Sequence, residues 1–349
     1  MTYKETLFFI GKCLTIAHEE HNRTIIESLI KKETFDWDNV VKVGTAHFVF
    51  PALYCNLQRA NFLQYLPDEL VGFMEHITNL NRERNTEIIR EANEINTLLL
   101  KNNITPIFLK GTGNLLEGLY DDIAERMVGD IDFLVQEKDF LKAAKLLEEN
   151  NYEKTSKGLI SPVFQKHYPR LFNEDKIAAV EVHLDMLKGK KKERFNYQSI
   201  EDSAQKINDI QVMSYTDQIT LTTMAIQHND NGFYYKTVSL RNCYDVFLLS
   251  QKTNSLSSIN KYKSFTKLLN SYFAITAVIF NSNVIKFQNN LRTSYYLWFT
   301  QFKLRFTSIA KLHNTVLKTM RYAKLKLQGF IRFLTNKDFR KYYIKKLSS

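Results

Sequence analysis

Cysteine is scarce: Cys13, Cys55 and Cys243 are the only three in 349 residues, far apart and without a CxxC pair. An odd, scattered set excludes a disulfide framework and suits a reducing compartment. Proline and glycine are also few, at 5 and 11, which excludes collagen-like and low-complexity chains. Long apolar runs are missing as well. The longest stretch, Tyr272 to Phe280, falls far short of the roughly 20 residues that span a bilayer. Leu7-Phe8-Phe9-Ile10 is followed too soon by Lys12 to be the core of a secretion signal, so it reads as helix and the expected location is the cytoplasm. Acid is nearly absent from the last 69 residues, where Asp338 alone stands against 15 Lys and Arg.

That last absence changes the meaning of the formal charge of +11. Residues 281–349 carry +14, leaving 33 basic against 36 acidic residues in the first 280, a net −3. A nucleic-acid assignment from whole-chain charge would therefore describe the tail and not the body. With 44% hydrophobic and 24% charged residues, the chain can bury a large core, and its length suits two or three domains.

Hydrophobic spacing divides the chain in four. Residues 1–102 read as a helical region, in which Pro67-Asp68-Glu69 starts a long helix running to about Lys101. Residues 103–190 read as an α/β core. Strands are expected at Ile104–Leu109, Asp130–Val135 and Ile177–His183, the last hairpinned with Val163–Tyr168, and a helix at Asp139–Asn150. Helical periodicity returns in 191–284, after the Lys188-Gly189-Lys190-Lys191-Lys192 loop. Residues 285–349 form a basic tail. The fold class expected is α+β, with helical regions on both sides of the core.

The chemistry concentrates in the core. Asp130 and Asp132 lie two apart on a strand, so both carboxylates leave one face; Glu181 and His183 are related in the same way on a later strand. Three converging carboxylates need cations between them, as in a two-metal phosphoryl-transfer site. Mg²⁺ is the expected ion, with Mn²⁺ as a substitute, because Mg²⁺ takes oxygen ligands and keeps waters and phosphates in its shell. Upstream, Lys110-Gly111-Thr112-Gly113 turns from strand to helix, where a backbone free of Cβ approaches phosphate and the helix start attracts an anion. Lys110 and Arg126 add positive charge along a triphosphate. The turn lacks the third glycine of a dinucleotide fingerprint and the Gly-Lys-Ser/Thr ending of a P-loop, which excludes both. Asp-x-Asp also occurs in nucleotide-sugar glycosyltransferases, an alternative that stays open, as does a degenerate nucleotide-binding or scaffolding module.

Phe108-Leu109-Lys110-Gly111-Thr112, Arg126, Asp130-Ile131-Asp132-Phe133-Leu134-Val135 and Glu181-Val182-His183, in this order, resemble the uncharacterised bacterial nucleotidyltransferase family of the polymerase-beta-like superfamily. The resemblance extends from Trp37-Asp38 and Thr45-Ala46-His47 to Gln227-His228 and the helix of Arg241 and Asp245, over roughly residues 20–280. It implies a polymerase-beta-like core with a mixed sheet, phosphate contacts from Gly111 and Thr112, and metal ligation by Asp130, Asp132 and Glu181. His228 becomes a nucleotide-site candidate on the same ground. Two departures stand out: Gly-Thr replaces the usual Gly-Ser, and seventeen residues separate Thr112 from Asp130, which puts Arg126 on an inserted loop. The activity expected is transfer of NMP from an NTP to an acceptor with release of pyrophosphate. Small molecule, protein and RNA acceptors all remain open, as does the oligomeric state.

Outside the core, Arg241 and Asp245 stand i, i+4 on a helix, the spacing of an ordinary ion pair, with an Arg241 that faces the triphosphate as the alternative. In the tail, apolar residues from Phe299 through Phe306, Val316 and Leu327 to Leu334 recur at alternating three and four, a seam along one long helix or two shorter ones. Such a stripe packs on the body, lies on an anionic membrane face, or meets nucleic acid.

Overall fold

The computed structural model describes residues 1–32, 35–155, 166–337, 339–340 and 343–344. Four helices, α1 (Tyr3–Cys13), α2 (Glu20–Ile30), α3 (Trp37–Ala46) and α4 (Phe50–Arg59), lead to the 34-residue α5 (Asp68–Lys101). α5 starts where the carboxylates of Asp68 and Glu69 meet the positive end of its dipole. Its buried stripe, Met74, Thr78, Asn81, Asn85, Ile88, Ala92, Ile95 and Leu99, recurs at four and three, as one helix face requires. The middle of that stripe is polar, and the reason lies in the loop it supports. Asn81 donates to the Ala124 carbonyl at 2.6 Å, and Asn85 donates to the carbonyls of Ile123 and Arg126 at 2.6 and 2.7 Å. The inserted loop thus keeps its backbone satisfied under the helix.

The core that follows is a mixed sheet of seven strands: β1 (Ile107–Phe108), β2 (Asp130–Leu134), β3 (Glu153–Lys154), β4 (Leu171–Phe172), β5 (Ala179–His183), β6 (Gln205–Ile207) and β7 (Ile210–Val212). Their order is β3-β4-β5-β2-β1-β7-β6, with β2 parallel to β5 and β1 parallel to β7. Helices α6 (Lys110–Leu116) and α7 (Phe140–Glu149) connect strands within it. Of the strand expected over Ile104–Leu109, only two residues join the ladder, because Pro106 has no N–H to offer. Leu109 still extends the pairing by donating to the Asp132 carbonyl at 2.9 Å. The hairpin expected against β5 exists where it is described: Tyr168 donates to the Val182 carbonyl at 2.8 Å and His167 bridges His183. Residues 163–165 lie outside the described residues.

The boundary expected at residue 190 cuts through this sheet. After α8 (Tyr197–Ile200), the β6–β7 hairpin returns to pair with β1, so the core extends to Val212. Helices α9 (Tyr215–Met224), α10 (Gly232–Tyr235), α11 (Leu240–Lys252), α12 (Ser255–Lys261) and α13 (Thr266–Phe280) follow. These pack onto the first helices of the chain. Asn22 donates to the Phe280 carbonyl at 2.7 Å, and a Cβ on Gly11 would stand 2.7 Å from Ile279 Cγ2, so only glycine lets α1 seat on α13. The two helical regions share one hydrophobic core with the sheet. Fully buried anchors such as Phe108, Phe133, Phe247 and Phe273 each contribute on the order of 2 kcal/mol to that core.

The tail forms two helices, α14 (Leu291–Arg305) and α15 (Thr307–Thr335), broken at Phe306. α14 buries Thr293, Tyr296, Thr300 and Lys303 against the body. Lys303 pins the corner, donating to the Tyr235 carbonyl at 2.7 Å and to Asn314 Oδ1 at 2.8 Å. α15 has no buried residue.

Candidate active site

Side chains of β2 and β5 alternate across the sheet. Ile131, Phe133, Val180 and Val182 point into the core and are fully buried, which turns Asp130, Asp132, Glu181 and His183 to the opposite face. The parallel register sets Asp132 beside Glu181. His183 Nε2 lies 2.8 Å from Asp132 Oδ1 and 3.3 Å from Glu181 Oε2. Asp132, Glu181 and His183 each offer a ligand atom within 4.8 Å of the others. The group could hold a divalent cation: the Asp132 and Glu181 oxygens are the ligand type that Mg²⁺ or Mn²⁺ takes, with the His183 imidazole beside them.

Asp130 stands apart from this trio. Its carboxylate is engaged by Arg170, a residue that no spacing in the sequence singled out. Arg170 sits one residue before the two-residue strand β4, too short a strand to leave a pattern. The same segment brings Lys166 and His167 toward the carboxylates; His167 Nε2 is 4.0 Å from Glu181 Oε2. Burial, helped by the nearby Lys110 ammonium, pulls Lys166 down to about 8.

Lys110 enters from the other side. Its backbone is in the left-handed region at φ +54°, a conformation that costs a lysine on the order of 1–3 kcal/mol. That twist aims the side chain over the strands: Nζ lies 2.6 Å from Asp132 Oδ1 and 3.9 Å from Glu181 Oε2. Burial opposes the charge on both partners, yet the pairing prevails. Lys110 is raised by Asp132, and Asp132 is held well below the usual carboxylate range by Lys110 and His183. Burial likewise works against Glu181, but the His183 hydrogen bond outweighs it and lowers the group.

The turn after Lys110 is close-packed. A Cβ on Gly113 would stand 2.8 Å from the Phe108 carbonyl oxygen, and one on Gly111 would stand 3.0 Å from Val128 and 3.5 Å from the Arg126 guanidinium. Thr112 is buried, and its hydroxyl donates to the Asp130 carbonyl at 2.9 Å, tying turn to strand. Arg126 is buried behind Gly111. Its Nε lies 3.0 Å from Asp245 Oδ1, an oxygen that also accepts from Tyr120 at 2.8 Å.

The ion pair expected between Arg241 and Asp245 is therefore not formed. A better-placed partner, Arg126, occupies Asp245 from across the loop. Arg241 makes no ion pair among the described residues: it donates to the Met127 carbonyl at 3.3 Å, stacks over Phe48, and keeps a buried Nε without a partner. Burial and the neighbouring Arg126 pull it down to about 10. His228 makes no ion pair with the carboxylates among the described residues; it sits on a π-helical turn, with Nε2 2.9 Å from the Lys188 carbonyl oxygen. It borders a cleft of about 790 Å³ with Lys191, Phe233, Tyr234 and Lys267.

The family described as uncharacterised nucleotidyltransferase matches residues 33–278, most of the chain and all of the sheet, and the chain belongs to that family. No curated protein and no solved structure matches the chain.

Proposed function

We propose that the protein transfers a nucleoside monophosphate from an NTP to an acceptor hydroxyl or other nucleophile. The carrying observation is the face where Asp132, Glu181, His183 and Lys110 meet, with Asp130 at its edge. The acceptor atom bonds to the α-phosphorus and gives up its proton to water, the bond from that phosphorus to the bridging oxygen breaks, and pyrophosphate leaves with the electron pair. A divalent ion, Mg²⁺ first, held by Asp132 and Glu181 with Asp130 as the third carboxylate, would neutralise charge on the phosphates. His183 orients Asp132 by sharing its Oδ1. Lys110 supplies a point charge, and the backbone at Gly111 and Thr112 forms the wall along which phosphates lie. Arg126 supports that wall from behind, since its charge is already matched by Asp245. Arg241, half-buried nearby and without an acid partner among the described residues, is the cation best suited to a phosphate oxygen. Positioning and charge neutralisation supply the catalysis.

The test is pyrophosphate release from ATP, GTP, CTP and UTP with Mg²⁺, with cell lysate supplying acceptors. Wild type is expected to release pyrophosphate and to label one size class of acceptor. The Asp130→Asn, Asp132→Asn double variant should do neither. Equal release by that variant overturns the reading. Binding of NTP without any release points to a degenerate module, and binding of nucleotide-sugars alone to a glycosyltransferase.

A further inference from the structure

The helix α15 leaves the body at Phe306, and none of its 29 residues is buried. Along it, Ile309, Leu312, Val316, Met320, Leu327 and Phe330 recur at three, four and seven, so they share one face. This face is open: Leu312 is 67% exposed, Met320 64%, Leu327 60% and Phe330 60%. Lys311, Lys318, Arg321, Lys326 and Arg332 occupy the remaining arc, and the helix contains no Asp or Glu. On the body side, Lys303 holds His313 and Asn314 near the first turns, and Leu317, Met320, Arg321 and Lys324 border the cleft that His228 and Phe233 also line. Contact with the body therefore leaves Ile309, Leu312, Val316, Leu327 and Phe330 of the apolar stripe open to solvent.

We infer that α15 docks the protein on an anionic lipid surface, its apolar stripe inserted among the acyl chains and its Lys and Arg on the headgroups. Two observations select this occupant. Charge selects an anionic partner, since Lys311, Lys318, Arg321, Lys324 and Lys326 have no acid on their helix. A second copy of the helix carries the same charge and would be repelled. Hydrophobicity then selects lipid over nucleic acid, because a phosphate backbone has nothing to bury against Leu312, Met320, Leu327 and Phe330. The helix lies on the membrane and does not cross it; among the described residues no helix is long and apolar enough to cross.

The test uses the full chain and sucrose-loaded vesicles of phosphatidylcholine, with and without 30% phosphatidylserine. The protein is expected to pellet with the anionic vesicles and to release as salt is raised. Each basic residue at the surface is worth about fivefold in partitioning. Lys318→Glu with Lys326→Glu should therefore lower it by on the order of 25-fold or more. Leu327→Ser with Phe330→Ser should abolish pelleting while leaving the unfolding midpoint unchanged, because both side chains are already exposed. Three results overturn the proposal. They are failure of wild type to pellet with anionic vesicles, tight RNA binding untouched by the Leu327 and Phe330 changes, or a lipid-free dimer that those changes dissociate.

Discussion

Lys110 and Asp132 form an ion pair of 2.6 Å over the middle of the two longest strands, on an oxygen that His183 also reaches at 2.8 Å. A lysine in a left-handed backbone conformation is an unfavourable local choice. It persists because the strand face needs a positive charge between Asp132 and Glu181. The Asp132 carboxylate is thus the pivot on which ammonium, imidazole and any divalent ion converge.

The first prediction concerns that pivot. Mn²⁺ or Mg²⁺ in excess should raise the thermal midpoint of wild type, since an ion bound only by the folded state stabilises it by about 2.7 kcal/mol at 100 times its dissociation constant. Asp132→Asn removes a ligand charge, so the shift should vanish while the midpoint without metal remains measurable. Turnover of NTP should fall on the order of 10²–10³-fold. Differential scanning fluorimetry with a metal series, run beside a pyrophosphate assay, checks both. An undiminished metal shift in Asp132→Asn would place the ion elsewhere.

The second prediction tests the support behind the turn. Arg126 is buried, and Asp245 is its only ion-pair partner among the described residues. Asp245→Ala leaves the guanidinium buried and unmatched and takes an acceptor from Tyr120, so a loss of about 3–5 kcal/mol is expected by urea unfolding. The double variant Arg126→Met, Asp245→Leu removes both charges and should recover a large part of that loss.

These contacts mark what was legible in the sequence. Alternation on Asp130–Leu134 and Ala179–His183 puts four polar side chains on one face, so the core of the site could be read from spacing alone. Arg170 could not be found that way, because its strand is two residues long. Nor could β6 and β7, three residues each, since β7 reaches its partner β1 from about a hundred residues away and β6 pairs only with β7. The Arg241–Asp245 expectation failed for a related reason. Helical spacing proposes a partner, but a loop arginine clamped by Asn81 and Asn85 arrives at better geometry. Likewise the tail's helical period was plain, while its lack of cover is a matter of tertiary packing.

The third prediction is a pH dependence. Burial pushes Glu117 up to about 8, against the Gln218 hydrogen bond at 2.6 Å. With the folded value raised, the folded state holds a proton that the unfolded chain has lost between about pH 4.5 and 8. Stability contributed by this group is therefore full at low pH, declines as pH rises through that window, and levels off above it. Glu117→Gln cannot ionise, so its stability relative to wild type should rise from pH 5 to pH 8. Urea titrations of both proteins at the two pH values decide it; a constant difference would show that Glu117 titrates normally.

The last prediction singles out Arg241. Arg126 lies against the turn at Gly111, and Arg241 reaches the Met127 carbonyl beside it, but Asp245 neutralises only the first. Arg241 keeps a buried Nε without a hydrogen bond, and burial beside Arg126 pulls it down to about 10. An incoming triphosphate would relieve both costs at once, giving the guanidinium an acceptor and a counter-charge. Arg241→Met should accordingly raise the KM for NTP about tenfold or more, the size of a charged hydrogen bond worth at least 1.5 kcal/mol. It should at the same time leave folding stability equal to wild type or higher, because no ion pair is broken. Arg241→Lys keeps the charge without the fork and should fall between the two. A structural arginine would behave in the opposite way: the methionine variant would lose stability, with KM unchanged.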